Sequence, residues 1–133
     1  SRAWHHLPVG ISILTNDGLN SPLFPKVARI RSLLENCPDE PGPLFETLQN
    51  VLADSWQPSQ FAPFAGSHIS EEIQRSLHAI CVRTPQYGTR SASIIALSPE
   101  GPPVYLHADG TPGRVPFEDI SHAVRKLEQA RRV

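Results

Sequence analysis

The sequence predicts an α+β domain. Three observations predict it: short β-branched runs bounded by turn signals, stretches with helical apolar periodicity, and prolines spread over the segments between them. The centre of the chain is Tyr87-Gly88-Thr89-Arg90-Ser91, which lies between the apolar runs 77–83 and 91–97. Thr84-Pro85 and Ser98-Pro99-Glu100-Gly101 bound these runs, so the region reads as strand, turn, strand. Ile80 and Val82 alternate with Leu77, Ala79 and Cys81 in the first run; Ala92, Ile94 and Ala96 alternate with Ile95 and Leu97 in the second. Neither strand has a polar face, so the sheet is expected to be covered on both sides. Arg90 is out of place in such packing. It calls for solvent or an anionic partner.

Taken in order, the chain begins irregularly. Residues 9–16, with Ile11 and Ile13 alternating against Ser12 and Leu14, read as a strand that ends at the turn Asn16-Asp17-Gly18. Pro25 suits the first position of a helix whose stripe is Val27, Ile30, Leu33 and Leu34. That helix must stop before Cys37-Pro38-Asp39-Glu40-Pro41-Gly42-Pro43. Leu44, Phe45, Leu48, Val51 and Leu52 then mark a second amphipathic helix, ending near Asp54-Ser55. Residues 56–70 lack periodicity and read as a packed loop. Ser70 to Gln74 forms a short helical turn into the central strands. After Leu97 a turn leads to a third antiparallel strand, Val104 to Ala108, and a closing helix begins near Phe117 with Ile120, Ala123, Val124 and Leu127 as its stripe. No repeat or linker interrupts this, and residues 1–133 read as one unit.

Composition narrows the function. The 133 residues carry 12 Lys+Arg against 13 Asp+Glu, with no basic cluster beyond Arg131-Arg132, so nucleic acid is a poor partner. No apolar run approaches the roughly 20 residues that span a bilayer. Cys37 and Cys81 form no metal or redox motif and read as reduced structural thiols, consistent with a cytosolic-type compartment. The six histidines have no metal-ligand spacing; His78 and His107 fall in predicted strands and read as satisfied packing residues. No methionine is present, so Ser1 reads as other than an encoded start, with the front of the natural chain not included. Ser1 has the equipment of an N-terminal nucleophile, but residues 1–6 do not resemble the strand such a nucleophile begins.

Two positions remain as candidates for chemistry. Asn16 is either a turn-capping residue or an amide donor of the oxyanion-hole kind. Arg90 is either paired with a local carboxylate or holds a substrate carboxylate or phosphate. From spacing alone the structural alternative is the stronger for Asn16, and neither residue is singled out.

A resemblance sharpens this. Leu7-Pro8-Val9-Gly10, then Leu14-Thr15-Asn16 and Leu19 through Ser21-Pro22-Leu23-Phe24-Pro25-Lys26-Val27, is similar to a conserved segment of the NRDE family, also called the transport and Golgi organisation 2 family. Residues 79–91, with Ile94-Ile95, resemble its C-terminal YGTR segment. The resemblance implies an αββα-type sandwich of antiparallel sheets with flanking helices, as in N-terminal-nucleophile hydrolases. It also implies that residues 1–133 are the C-terminal half of an NRDE-type domain, a partial domain whose partner is the N-terminal half. The family's Met-Cys start and Asn-Arg-Asp-Glu motif are not in this sequence.

By the same resemblance Asn16 and Arg90 would support catalysis, the nucleophile itself being absent, and Arg90 with Tyr87 and Thr89 would contact a ligand. The implied function is to handle a hydrophobic anionic small molecule (haem or an acyl lipid such as an acyl-CoA) in Golgi or mitochondrial homeostasis. Two alternatives stand beside it: an N-terminal-nucleophile amidohydrolase or acyltransferase with an upstream cysteine, and a structural trafficking factor. No residue specifies a cofactor or metal. The implied location is cytoplasmic, with mitochondrial or Golgi association.

Overall fold

Two proline-led helices organise the first half of the chain. In the computed structural model, which describes Trp4 and residues 6–131, α1 spans Pro25–Leu34 and α2 spans Pro41–Ala53. Each has proline at its N-terminus, where the missing N–H costs nothing. Val27 and Val51, one from each predicted stripe, are the buried residues of the two helices. Arg29 Nε donates to Asp54 Oδ2 at 2.8 Å, tying α1 to the C-cap of α2. Residues 56–70 form the expected loop, and α3 spans Glu71–Leu77. Ser70 caps it by accepting from the Ile73 N–H, while Glu71 and Glu72 complement the positive end of its dipole.

The second half is a three-stranded antiparallel sheet in the order β1-β2-β3, where β1 is Ala92–Ser98, β2 is Gly101–Ala108 and β3 is Glu118–Asp119. The β1–β2 hairpin pairs Ile94 with Leu106 and Ala92 with Ala108 on its inner face, where Ile94 and Ala108 are buried. Helix α4, Ser121–Arg131, packs on β2, and α2 packs on β1. With four helices and one open sheet among the described residues, the chain is α+β.

Four local expectations are corrected. Residues 9–16 do not form a strand: the segment turns back on itself through one bridge, Leu14 to Leu19, closed by reciprocal Thr15–Gly18 backbone bonds of 3.0 and 3.1 Å. No neighbouring strand offers it a ladder. Residues 77–83 are not a strand either. Helix α3 runs through Leu77, residues 78–81 bend, and the Cys81 N–H is spent on the Asp54 carbonyl at 2.8 Å, leaving a single bridge between Arg83 and Gly88. The last helix starts at Ser121 rather than near Phe117, because Glu118 and Asp119 pair with His107 and Leu106 of β2. Leu127, assigned to its apolar stripe, is exposed.

The sheet is also not covered on both sides. Ile95 and Leu97 are 61% and 80% exposed, so among the described residues one sheet face is open. Ser93, Tyr105 and His107 share that face, with Ser93 Oγ 2.9 Å from His107 Nδ1. His107 is thus a satisfied strand histidine, as expected. Ser1 and its proposed neighbours lie outside the described residues, apart from Trp4 and His6.

Candidate functional site

The polar loop 57–69 is laced to α3, and this lacing builds a cavity. Gln74 is buried on α3; its Oε1 accepts from the Phe64 N–H at 2.8 Å and its Nε2 donates to the Ile69 carbonyl at 2.7 Å. Arg75 donates to the Pro58 and Ser59 carbonyls at 3.0 and 2.6 Å and lies over the Phe61 ring at 5.2 Å. Held this way, Phe64 and Ile69 face Ile73 and Leu77 of α3 across a cavity of about 960 Å³. The turn residues Leu14, Thr15 and Asn16, with Phe24 and Lys26 at the start of α1, form a further part of the wall, and Val82 and Tyr87 complete it. A concave, largely apolar space with a few polar groups is the usual form of a small-molecule site.

Lys26 is the cation of this wall. Among the described residues it has no carboxylate within ion-pairing distance and no hydrogen-bond partner; the two ion pairs there are Arg29–Asp54 and Arg75–Glu71. Its Nζ lies 6.0 Å from the centre of the Phe24 ring. Burial holds the ammonium pKa below its ordinary value, since desolvation disfavours the charged form. Behind the same wall His78 is enclosed by Phe24, Phe61 and Phe64, with ring centres 5.5, 5.0 and 5.5 Å away. His78 is 1% exposed and neither ring nitrogen has a partner. Its pKa is lowered by burial first and by the charge of Lys26 second. The expectation of a satisfied strand histidine is therefore corrected: it follows α3 and is unsatisfied.

The Tyr87 to Arg90 loop is built by backbone bonds. The Thr84 N–H reaches the Tyr87 carbonyl at 2.8 Å, and the Thr89 N–H reaches Val82 O at 2.9 Å. Thr89 Oγ1 accepts from the Val82 N–H at 2.9 Å, closing a reciprocal pair. A Cβ on Gly88 would lie 3.0 Å from Val82 O, a backbone atom already engaged, which accounts for glycine there. A second, more open depression of about 550 Å³ runs from Thr84 to Arg90 and is closed by Gly110 and Thr111.

These facts place the four residues named through the resemblance. Asn16 and Tyr87 line the apolar cavity; Thr89 and Arg90 line the neighbouring depression, and Tyr87 borders both. Asn16 and Arg90 share no cavity. The Thr89 hydroxyl is committed to the backbone, whereas Arg90 is exposed, without an ion pair among the described residues. Lys26, Phe64, Gln74 and His78 were not singled out for the site by the sequence. The sequence carried no signal for Lys26 beyond its place on the polar side of α1, because the partners that distinguish it from Arg29 and Arg31 come from elsewhere in the chain.

The family model for Transport and Golgi organisation 2 matches residues 1–107. The chain belongs to the Transport and Golgi organisation 2 family. No curated protein and no solved structure gives a significant match. The family match spans every residue of the apolar cavity and the whole Tyr87 to Arg90 loop, whereas β3 and α4 lie beyond it. Among the described residues no helix is long and apolar enough to cross a membrane.

Proposed function

We propose that this transport and Golgi organisation family protein binds and hands on a hydrophobic anionic small molecule, haem or an acyl lipid, in Golgi or mitochondrial homeostasis. The observation that carries the reading is the apolar cavity of about 960 Å³ with a cation in its wall and a second, Arg90, in the depression beyond Tyr87. An apolar body fits the first space. A charged end that passes Tyr87 reaches Arg90, whose planar guanidinium suits carboxylate or phosphate. Cytoplasmic residence with access to mitochondrial or Golgi membranes belongs to the same reading. The catalytic alternative would take its cysteine from upstream sequence, since neither Cys37 nor Cys81 lines the cavity and Cys81 is fully buried.

The test is titration with haem and with a long-chain acyl-CoA, followed by absorbance and by competition with a fluorescent fatty probe. Saturable binding of at least one is expected. Filling the cavity with Ile73→Trp weakens it about tenfold or more, and Arg90→Ala weakens it less, since a partly solvated charge contact contributes roughly 1 kcal/mol. Absence of saturable binding of both ligands overturns the reading.

A further inference from the structure

The cavity holds an unpaired charge that its own wall does not neutralise. Lys26 is half-buried beside Phe24, opposite the apolar side chains of Ile73 and Leu77, with no carboxylate partner among the described residues. Burial and the apolar neighbours disfavour an ammonium, and the face of the Phe24 ring, 6.0 Å from Nζ, offsets only part of that cost. Lysine is a strongly hydrated point charge, and removing part of its hydration without supplying an anion costs free energy. Its place in the first turn of α1 adds to that cost, because the helix dipole disfavours a cation at this end and no acidic residue stands in the turn to offset it. A lysine needed only for solubility would turn its amine to water and leave the wall to its stem. Lys26 is part of the wall of the apolar cavity, and its Nζ lies 6.0 Å from the ring centre of Phe24, another residue of that wall.

We infer that Lys26 pairs with the carboxylate of a ligand whose apolar body lies within the cavity, so that the site selects an unesterified apolar carboxylate over its neutral ester. The inference rests on the ligand-handling reading above and narrows it to ligands with a free carboxylate, which haem and unesterified acyl chains carry and an acyl-CoA, a thioester, does not. The carboxylate closes the charge balance of the wall. The hydrocarbon is buried against Phe24, Phe64, Ile69 and Ile73. Selectivity follows from the difference between the two ligands: an ester makes the same apolar contacts but leaves Lys26 unpaired.

The burial that lowers the Lys26 pKa makes the selection dependent on pH. Below that pKa the amine is charged and the carboxylate is preferred; above it the preference disappears. The other titratable groups near it are His68 and Tyr87 on the cavity wall and His78 behind Phe24. A guanidinium at the same position remains charged to higher pH, which separates the Lys26 contribution from those of its neighbours.

The experiment uses a dansyl-labelled undecanoic acid and its methyl ester, titrated by fluorescence into the whole chain. The wild type is expected to bind the acid about tenfold more tightly than the ester near neutral pH. In Lys26→Gln the advantage of the acid over the ester disappears, and circular dichroism checks that the variant is folded. In Lys26→Arg the preference for the acid is kept and persists to higher pH. Equal binding of acid and ester by the wild type, or an unchanged acid preference in Lys26→Gln, overturns the role of Lys26 and leaves the cavity reading standing. Absence of saturable binding of either probe overturns both.

Discussion

The imidazole of His78 lies against the ring of Phe61 with centres 5.0 Å apart and planes at 55°, and neither of its nitrogens has a hydrogen-bond partner. Phe24 and Phe64 close the cage on other sides and also line the apolar cavity. One group of aromatic rings thus serves as the site's wall and as the container of a buried titratable residue.

This arrangement predicts the acid side of the stability profile. The folded-state pKa of His78 is lowered from the ordinary 6.5 by burial and then by Lys26. Above 6.5 the residue is neutral in both folded and unfolded chains and contributes no slope. As pH falls from there towards the folded pKa, the unfolded chain takes up the proton first, so stability declines; below the folded pKa that decline ends. His78→Leu should flatten this part of the profile and, by removing unsatisfied buried nitrogens worth roughly 1–3 kcal/mol against their apolar replacement, leave the stability equal or higher. Urea midpoints of both proteins at about pH 7.5 and about pH 5.5 check this, because the other histidines cancel in the difference. Parallel declines in the two proteins would show that His78 is not the cause.

Thr89 and Arg90 are neighbours with separable roles. Thr89→Val keeps the shape but leaves the buried Val82 N–H without its 2.9 Å acceptor. A loss of about 1–2 kcal/mol is expected by chemical denaturation, with Thr89→Ser close to wild type. Arg90, exposed and unpaired among the described residues, should yield Arg90→Ala variants with wild-type stability and a change confined to ligand binding.

Gln74 couples the fold to the site. Gln74→Leu removes two bonds that hold Phe64 and Ile69 in the cavity wall. Stability should fall by roughly 1–3 kcal/mol, amide exchange at Phe64 should accelerate, and binding of the fatty probe should weaken. Normal exchange at Phe64 in this variant would mean that the loop is held by Arg75 instead.

Much of the architecture was legible. Pro25, the proline run after Cys37 and the stripes from Val27 to Leu34 and Leu44 to Leu52 define α1 and α2 within a few residues. The short helical turn read at Ser70 to Gln74 is the start of α3, which runs on to Leu77, and the Ser98 to Gly101 turn announced the β1–β2 hairpin. The resemblance at residues 7–27 and 79–95 led to the family to which the chain belongs. Of the residues named through the resemblance, the structure puts Asn16 and Tyr87 on the cavity wall, whereas Lys26 passed as one of the polar residues of an amphipathic helix. Its difference from Arg29 and Arg31 is invisible along the chain, because Arg29 has Asp54 and Arg31 has Asn20 as partners brought from elsewhere.

What the sequence determined by itself is the set of structures whose hydrogen bonds are local. Helices bond within four residues and hairpins across a short turn, so periodicity and turn residues are sufficient to announce them. Tertiary structure alone decided the rest. The runs 9–16 and 77–83 have strand-like composition, but a strand exists only where a second chain segment meets its donors and acceptors. Their backbone groups found other partners: Gly18 for Thr15, Asp54 for Cys81, and Gly88 for Arg83 by a lone bridge. The same holds for charge. Whether Lys26 is solvated, paired or left waiting for an anion depends on what the fold places around it, and the fold places an apolar cavity there.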